Sequence, residues 1–291
     1  MQLISRISEI ENNYCAFILD IWGVLWDGIE PYETAISSLK ELRKKKKPVI
    51  LLSNAPRRAK TVENKLNDIG INKDYYNKII SSGEICRNNF LKNNAYISKI
   101  GNMFYFVGQE ADKDIADKLP LIEKKNINES NFLLVCGTRD FEDDLNKYKF
   151  ELDQGIKLKL PLVCANPDKV VVRKNGNKLI CAGELAYYYY LKGGTVFYFG
   201  KPYPDVYNEC IRFFKELDAS ISEKDILVIG DSLETDIKGA CKNNLSSVLV
   251  AGGIHAELFN RKLNNNSIKK IQTLCKNKSE YPDFLINKFI F

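Results

Sequence analysis

Short apolar runs rich in β-branched residues alternate along this chain with stretches of helical period. The early order is CAFILDIW, a helix over Thr34 to Lys46, PVILLSN, a helix over Arg58 to Ile69, and KIISSG. The rhythm breaks off and returns late as TVFYFGK, a helix from Pro204 to Leu217, DILVIGD, a helix from Glu234 to Lys242, and SSVLVAGG. Strands that alternate with helices in this way form a Rossmann-like, doubly wound parallel sheet, an α/β fold whose chemistry sits at the carboxyl ends of its strands. Between the two blocks lie MFYFVG, NFLLVCG, LPLVCANP and KVVVRKNGNKLI, with helical stretches among them. A sheet that is interrupted and resumed predicts an insertion, here a second α/β unit. The predicted division is 1–83 for the first part of the core, 84–182 for the inserted unit and 183–291 for the second part of the core.

With 291 residues, 45% of them hydrophobic, the chain can bury a large core. The net charge of +6 comes from 43 basic and 37 acidic residues that are widely dispersed. Its one basic run, Lys44 to Lys47, ends a predicted helix, where it suits the negative end of the helix dipole as a solvated face. No nucleic-acid partner is expected. The Asn/Lys-rich stretch from Arg261 to Lys270 reads as compositional bias on the surface. Eight cysteines show no CxxC pair and lie mostly in apolar runs, which suits reduced thiols in a cytoplasmic protein and neither a disulfide frame nor a zinc site. The apolar runs are strand-sized, so neither a membrane span nor a signal peptide is expected.

Four strand ends carry candidate chemistry. Asp20 closes the first apolar strand, in a loop with Gly23 and Gly28 that lets backbone approach closely; it is a candidate nucleophile or metal ligand, or else a turn former. Ser53 and Asn54 end PVILLSN, where a hydroxyl and nearby amides can hold phosphate oxygens or cap a helix. Lys201 closes TVFYFGK before Pro202 and Pro204, placed to neutralise a carboxylate and a transferring phosphoryl group. Asp231 ends DILVIGD, with Asp236 beyond the turn, a carboxylate pair of the kind that Mg²⁺ takes. Each element alone has an ordinary structural explanation; all four at carboxyl ends of parallel strands point to one phosphoryl-transfer site.

At these residues the chain resembles the haloacid dehalogenase superfamily, whose motifs are an Asp-led loop, a strand-end Ser or Thr, a Lys and an acidic pair. The inserted segment, with CANPDKVVV, CAGELAYYYY, GKPYPDVY and GDSLETDI, is similar to the class IIA branch with a C2-type cap, the nitrophenylphosphatase-like or NagD-like group. DIWGVLWDG and AGGIHAEL resemble a bacterial subgroup of that branch. The resemblance implies that Asp20 attacks phosphorus to form an aspartyl-phosphate, while Ser53, with Asn54 beside it, and Lys201 bind the phosphoryl oxygens. Mg²⁺ would be held by Asp20, the Trp22 carbonyl, Asp231 and Asp236. It also implies a small phosphorylated metabolite as substrate, and caps of this kind often pair, so a homodimer is expected.

One position departs from the pattern. The family's phosphatases carry a second Asp two residues after the nucleophile, a general acid and base, and here that residue is Trp22. Such help is worth about 10²- to 10⁴-fold, so esters with poor leaving groups should suffer most. Substitutes in the sequence are Asp27, His255, Glu184 and Tyr187, though Asp27 reads as loop-forming and His255 as a turn or helix-start residue. Tyr187 to Tyr190 read as mixed core and surface on a helix, or as a ring-stacking mouth. Asn166 to Asp168 read as a cap turn, since Pro167 enforces an extended break. The expected activity is Mg²⁺-dependent hydrolysis of phosphate monoesters. A phospho-ligand and Mg²⁺-binding module is the alternative, and a phosphoryl transferase a weaker one.

Overall fold

The computed structural model describes residues 1–92, 99–172, 177–259, 263–275 and 278–291. Parts of two predicted stretches, residues 173–176 of KVVVRKNGNKLI and 261–262 of the Asn/Lys-rich run, lie outside them. In chain order the elements are β1 (Gln2–Leu3), β2 (Ala16–Asp20), α1 (Glu33–Lys44), β3 (Val49–Ser53), α2 (Ala59–Asp68), β4 (Lys78–Ser81) and α3 (Ser82–Leu91). Then come β5 (Met103–Val107), β6 (Ile122–Lys124), β7 (Phe132–Val135), α4 (Asn146–Lys157), β8 (Leu162–Cys164), β9 (Val170–Val172), β10 (Lys178–Ile180), α5 (Ala182–Leu191) and β11 (Val196–Tyr198). The last are α6 (Pro204–Leu217), β12 (Ile226–Gly230), α7 (Lys238–Lys242), β13 (Ser246–Val250), α8 (Asn265–Leu274) and β14 (Phe284–Ile286).

The core is a parallel seven-stranded sheet in the order β1-β14-β13-β12-β2-β3-β4. Its central strands are apolar throughout because both faces are covered. Phe17 and Leu19 of β2 pack toward Leu39 and Leu42 of α1, while Ala16 and Ile18 pack toward Val206, Cys210 and Phe214 of α6. The sequence neighbour of β2, β3, lies on one side of it and β12 on the other, so the crevice beyond their carboxyl ends is a topological switch point, where α/β sheets place ligands.

The inserted unit is a parallel five-stranded sheet in the order β11-β8-β7-β5-β6, with an antiparallel β9-β10 pair beside it. One face packs on α4 and α5; the other, through Phe104, Phe106, Phe132 and Leu134, joins the apolar cluster shared with α3 and α6.

The predicted division needs correction at the return. TVFYFGK was read as the first strand of the resumed core, but β11 pairs with β8, and α5 covers the same inserted sheet. The chain therefore rejoins the core near Lys201 and not at residue 183, while residue 84 falls inside α3. Inner strands of both sheets are parallel and buried, and β11 carries a similar apolar run, so no residue pattern separates the two sheets there.

Candidate functional site

Asp20 closes β2, Ser53 closes β3 and Asp231 directly follows β12, each standing where the buried apolar run of its strand stops. Lys201 enters just after β11. Its ammonium donates to Asp20 Oδ1 at 2.5 Å, to Asp236 Oδ1 at 2.8 Å and to the Leu52 carbonyl at 3.3 Å. Asp20, Asp231, Asp236 and Lys201 are all buried. The four strand-end motifs thus meet in one place.

Carboxylate oxygens of Asp20, Asp231 and Asp236 lie within 4.8 Å of one another, with Lys201 as the ammonium that pairs with two of them. If all are ionised, the pocket holds two negative charges in excess, which burial makes costly. Burial raises the Asp20 carboxyl to about 7, against the pull of Lys201 and with the help of Asp236. Burial and the charge of Asp20 hold Asp231 well above the usual carboxylate range. Burial pulls the Lys201 ammonium down, but Asp20 and Asp236 outweigh it and set its pKa well above normal. Oxygen donors with this charge excess fit a hard divalent cation such as Mg²⁺.

The backbone is shaped around these carboxylates. A Cβ on Gly23, whose φ is 81°, or on Gly253 would lie 2.0 or 2.1 Å from Asp231 Oδ2, so both chains reach the carboxylate only as glycine. The Ile254 amide donates to that same oxygen at 2.7 Å. Asp236 is returned to the pocket by a wide π-type turn, Leu233–Ile237, whose Ser232 cap accepts from the Thr235 amide at 3.3 Å. Sequence periodicity reads that stretch as plain helix; regular α-helix begins only at Lys238.

Asn54 proves to be a clamp. Its Oδ1 accepts from the Lys201 amide at 2.7 Å and from the Ser82 hydroxyl at 2.9 Å, while its Nδ2 donates to the Lys201 carbonyl at 3.1 Å and to Asp168 Oδ1 at 2.8 Å. Its side chain is committed to the protein, which leaves its backbone amide as the group it can offer to a phosphoryl oxygen. Ser53 Oγ accepts from the Ala55 amide at 3.1 Å, and α2 starts only at Ala59, so no helix N-terminus stands directly behind Ser53.

Trp22 points toward the inserted unit: its indole N–H donates to the Val172 carbonyl of β9 at 2.9 Å, and its ring lies against Trp26, centroids 5.7 Å apart. Asp27 is buried and accepts the Ile29 and Glu30 amides at 2.8 and 2.7 Å, as a loop-forming residue does. His255 Nε2 accepts from the Leu233 amide at 3.3 Å, just before the helical turn Ala256–Leu258, and burial lowers its pKa. Among Tyr187 to Tyr190, Tyr189 is buried and donates to the Leu160 carbonyl at 2.6 Å, Tyr188 donates to Asp153 at 2.9 Å, and Tyr187 and Tyr190 are exposed. Asp168, read from sequence as part of a turn, is held in one by its amide on Asn166 Oδ1 at 3.0 Å, and it also stands against Asn54 at the edge of the cluster. The break at Pro167 was the one available signal, and it reads as a turn because the core partner lies more than a hundred positions away.

The family model described as haloacid dehalogenase-like hydrolase matches residues 17–151, which include Asp20 and Ser53. A second, HAD-hydrolase-like, matches residues 198–271, which include Lys201, Asp231 and Asp236. This chain is a haloacid dehalogenase-like hydrolase. The hydrolase is 24% identical over 278 residues to a 4-nitrophenylphosphatase of Schizosaccharomyces pombe, covering 86% of this chain and 87% of that one. It is 25% identical over 243 residues to the sugar-phosphatase AraL of Bacillus subtilis, covering 81% and 82%. Its fold matches a haloacid dehalogenase-like family hydrolase from Brucella suis with a TM-score of 0.84 at 27% identity, over 99% of this chain and all of that one. The inserted unit and these relatives place the hydrolase in the class IIA branch.

Proposed function

We propose that this hydrolase cleaves small organic phosphate monoesters with Mg²⁺, through an aspartyl-phosphate on Asp20. The observation that carries the reading is the buried cluster itself: a strand-end carboxylate paired with a buried lysine, inside a carboxylate set whose excess charge matches a divalent cation. The phosphatase names of the relatives support it.

Asp20, Asp231, Asp236 and the Trp22 carbonyl would hold the ion, which supplies charge neutralisation to the transferring phosphoryl group. Gly23 brings its backbone against Asp231, beside the Trp22 carbonyl. Lys201 fixes the Asp20 carboxylate through Oδ1 and offers positive charge to phosphoryl oxygens. Ser53 and the amides after it offer hydrogen bonds to the same oxygens. Asp20 then attacks phosphorus, the ester oxygen leaves, and water later releases phosphate from the aspartyl-phosphate. All eight cysteines are unpaired, which supports a reducing, cytoplasmic setting.

Aryl and acyl phosphates, whose leaving groups need the least help from a proton, should turn over faster than alkyl ones. A panel of phosphate esters with Mg²⁺, beside Asp20→Asn and Trp22→Asp, tests the proposal. Activity absent in the first and raised in the second is the expected result. Tight phospho-ligand binding with no turnover on any ester would instead establish the binding module, which Trp22 favours.

A further inference from the structure

We propose that Asp168 supplies the proton that Trp22 cannot: it is the general acid for ester cleavage and the general base for hydrolysis of the aspartyl-phosphate. The inference rests on the phosphatase reading of Asp20. Asp168 belongs to the inserted unit, yet its Oδ1 accepts from Asn54, the residue that also clamps the Lys201 backbone. It is near enough to the cluster for its charge to act on Asp20 and Lys201. Asp168 Oδ2 carries no hydrogen bond among the described residues, while Oδ1 is held by Asn54.

The segment is braced for this position. The Asp168 amide donates to Asn166 Oδ1 at 3.0 Å, and its carbonyl accepts the Gly183 amide at the start of α5, also at 3.0 Å. Four residues on, the Val172 carbonyl takes the Trp22 indole N–H. Trp22 thus occupies the place of the usual acid and ties down the segment that carries the substitute; it is a positioning residue. The other candidates are placed worse. His255 accepts a backbone amide, Asp27 is spent on its own loop, and neither Glu184 nor Tyr187 is joined to the cluster by a hydrogen bond or ion pair among the described residues.

The charged and titratable groups facing Asp168 are Asp20, Lys201 and Asp236 from the core, with the buried Cys164 and Cys181 thiols behind it. Burial raises the Asp168 carboxyl against the opposing pull of Lys201 and Asn54, so it keeps its proton to higher pH than a surface Asp. In the first step Asp20 bonds to phosphorus, the bond to the ester oxygen breaks, and that oxygen takes the Asp168 proton. In the second, Asp168 carboxylate takes a proton from water as its oxygen bonds to phosphorus, and the bond to Asp20 breaks. Phosphate leaves and both carboxyls return to their starting states.

Asp168→Asn keeps an oxygen for Asn54 and removes only the proton. With Mg²⁺, turnover of a hexose 6-phosphate is expected to fall by about 10²- to 10⁴-fold. With 4-nitrophenyl phosphate, rapid-quench kinetics should still show a burst of nitrophenolate equal to the enzyme, then slow turnover, since a good leaving group needs no proton but the second step needs a base. Trp22→Phe keeps the ring, loses the tether to Val172, and should weaken sugar-phosphate turnover more than the aryl burst. Unchanged kinetics in Asp168→Asn, or equal losses on both esters with no burst in a normally folded protein, overturns the inference. Activity surviving in Asp20→Asn would instead overturn the reading beneath it.

Discussion

Lys201→Met measures what the pocket's charge balance is worth. Lys201 is buried and its ammonium binds Asp20 and Asp236, so a methionine of similar length removes the cation but keeps most of the packing. Removing one partner of a buried ion pair costs about 3–5 kcal/mol, because the remaining charges stay uncompensated. The cost should depend on pH in a definite direction. Asp20 titrates at about 7, raised by burial, and Asp231 is raised as well. At pH 8 the Asp20 carboxylate is ionised and pairs with the ammonium that the variant lacks; near pH 5 Asp20 holds a proton and the ammonium is missed less. The lysine's own pKa is raised, so its contribution is intact throughout this window and fades only in strong alkali. Urea unfolding in EDTA at the two pH values should therefore show a loss of about 3–5 kcal/mol at pH 8 that shrinks severalfold at pH 5. An equal loss at both would mean that Lys201 acts by packing alone, and the electrostatic account of the pocket would fail.

Two further outcomes follow from the same geometry. The folded-state pKa of Asp20 lies above its unfolded value, so the metal-free fold binds the extra proton and loses stability as pH rises from about 4 toward 7. Mg²⁺ should offset that loss, adding about 2.7 kcal/mol at a hundred times Kd at pH 8 and visibly less at pH 5.5, where protons compete; thermal shifts of equal size at both would refute this. Gly253→Ala would put a methyl group 2.1 Å from Asp231 Oδ2, displacing that carboxylate. It should cost about 1–3 kcal/mol and abolish the Mg²⁺-induced shift in melting temperature, whereas a variant that keeps the full shift would show the pocket yields.

The strand ends were legible in the sequence because an apolar run covered on both faces must stop where chemistry begins. Asp20, Ser53, Lys201 and Asp231 each follow such a run, and the fold brings their motifs to one sheet edge. Membership of a strand in one sheet or the other was not legible: Val196–Tyr198 is as apolar as a core strand, and only its pairing with Leu162–Cys164 decides its place. The short strands Gln2–Leu3 and Phe284–Ile286 escaped notice because two or three residues show no period, and the first, an edge strand, pairs only with the second at the far end of the chain. The bond between Asn54 and Asp168 was hidden for a related reason. Local sequence assigns a strand-end Asn to capping or ligand contact and an Asp after proline to a turn, whereas their hydrogen bond joins the inserted unit to the core. The contact that Trp22 makes was likewise invisible, since its partner is the Val172 carbonyl, a backbone group that any residue supplies.

The most direct measurement is chemical trapping of the intermediate. The protein is mixed with 4-nitrophenyl phosphate and Mg²⁺, quenched in acid within the first turnover, digested and mapped by mass spectrometry. A hydroxylamine-sensitive phosphoryl group on the peptide carrying Asp20, absent in Asp20→Asn, is the predicted result. Turnover that proceeds with no phosphorylated protein, or with the phosphoryl group on a peptide lacking Asp20, would contradict the account.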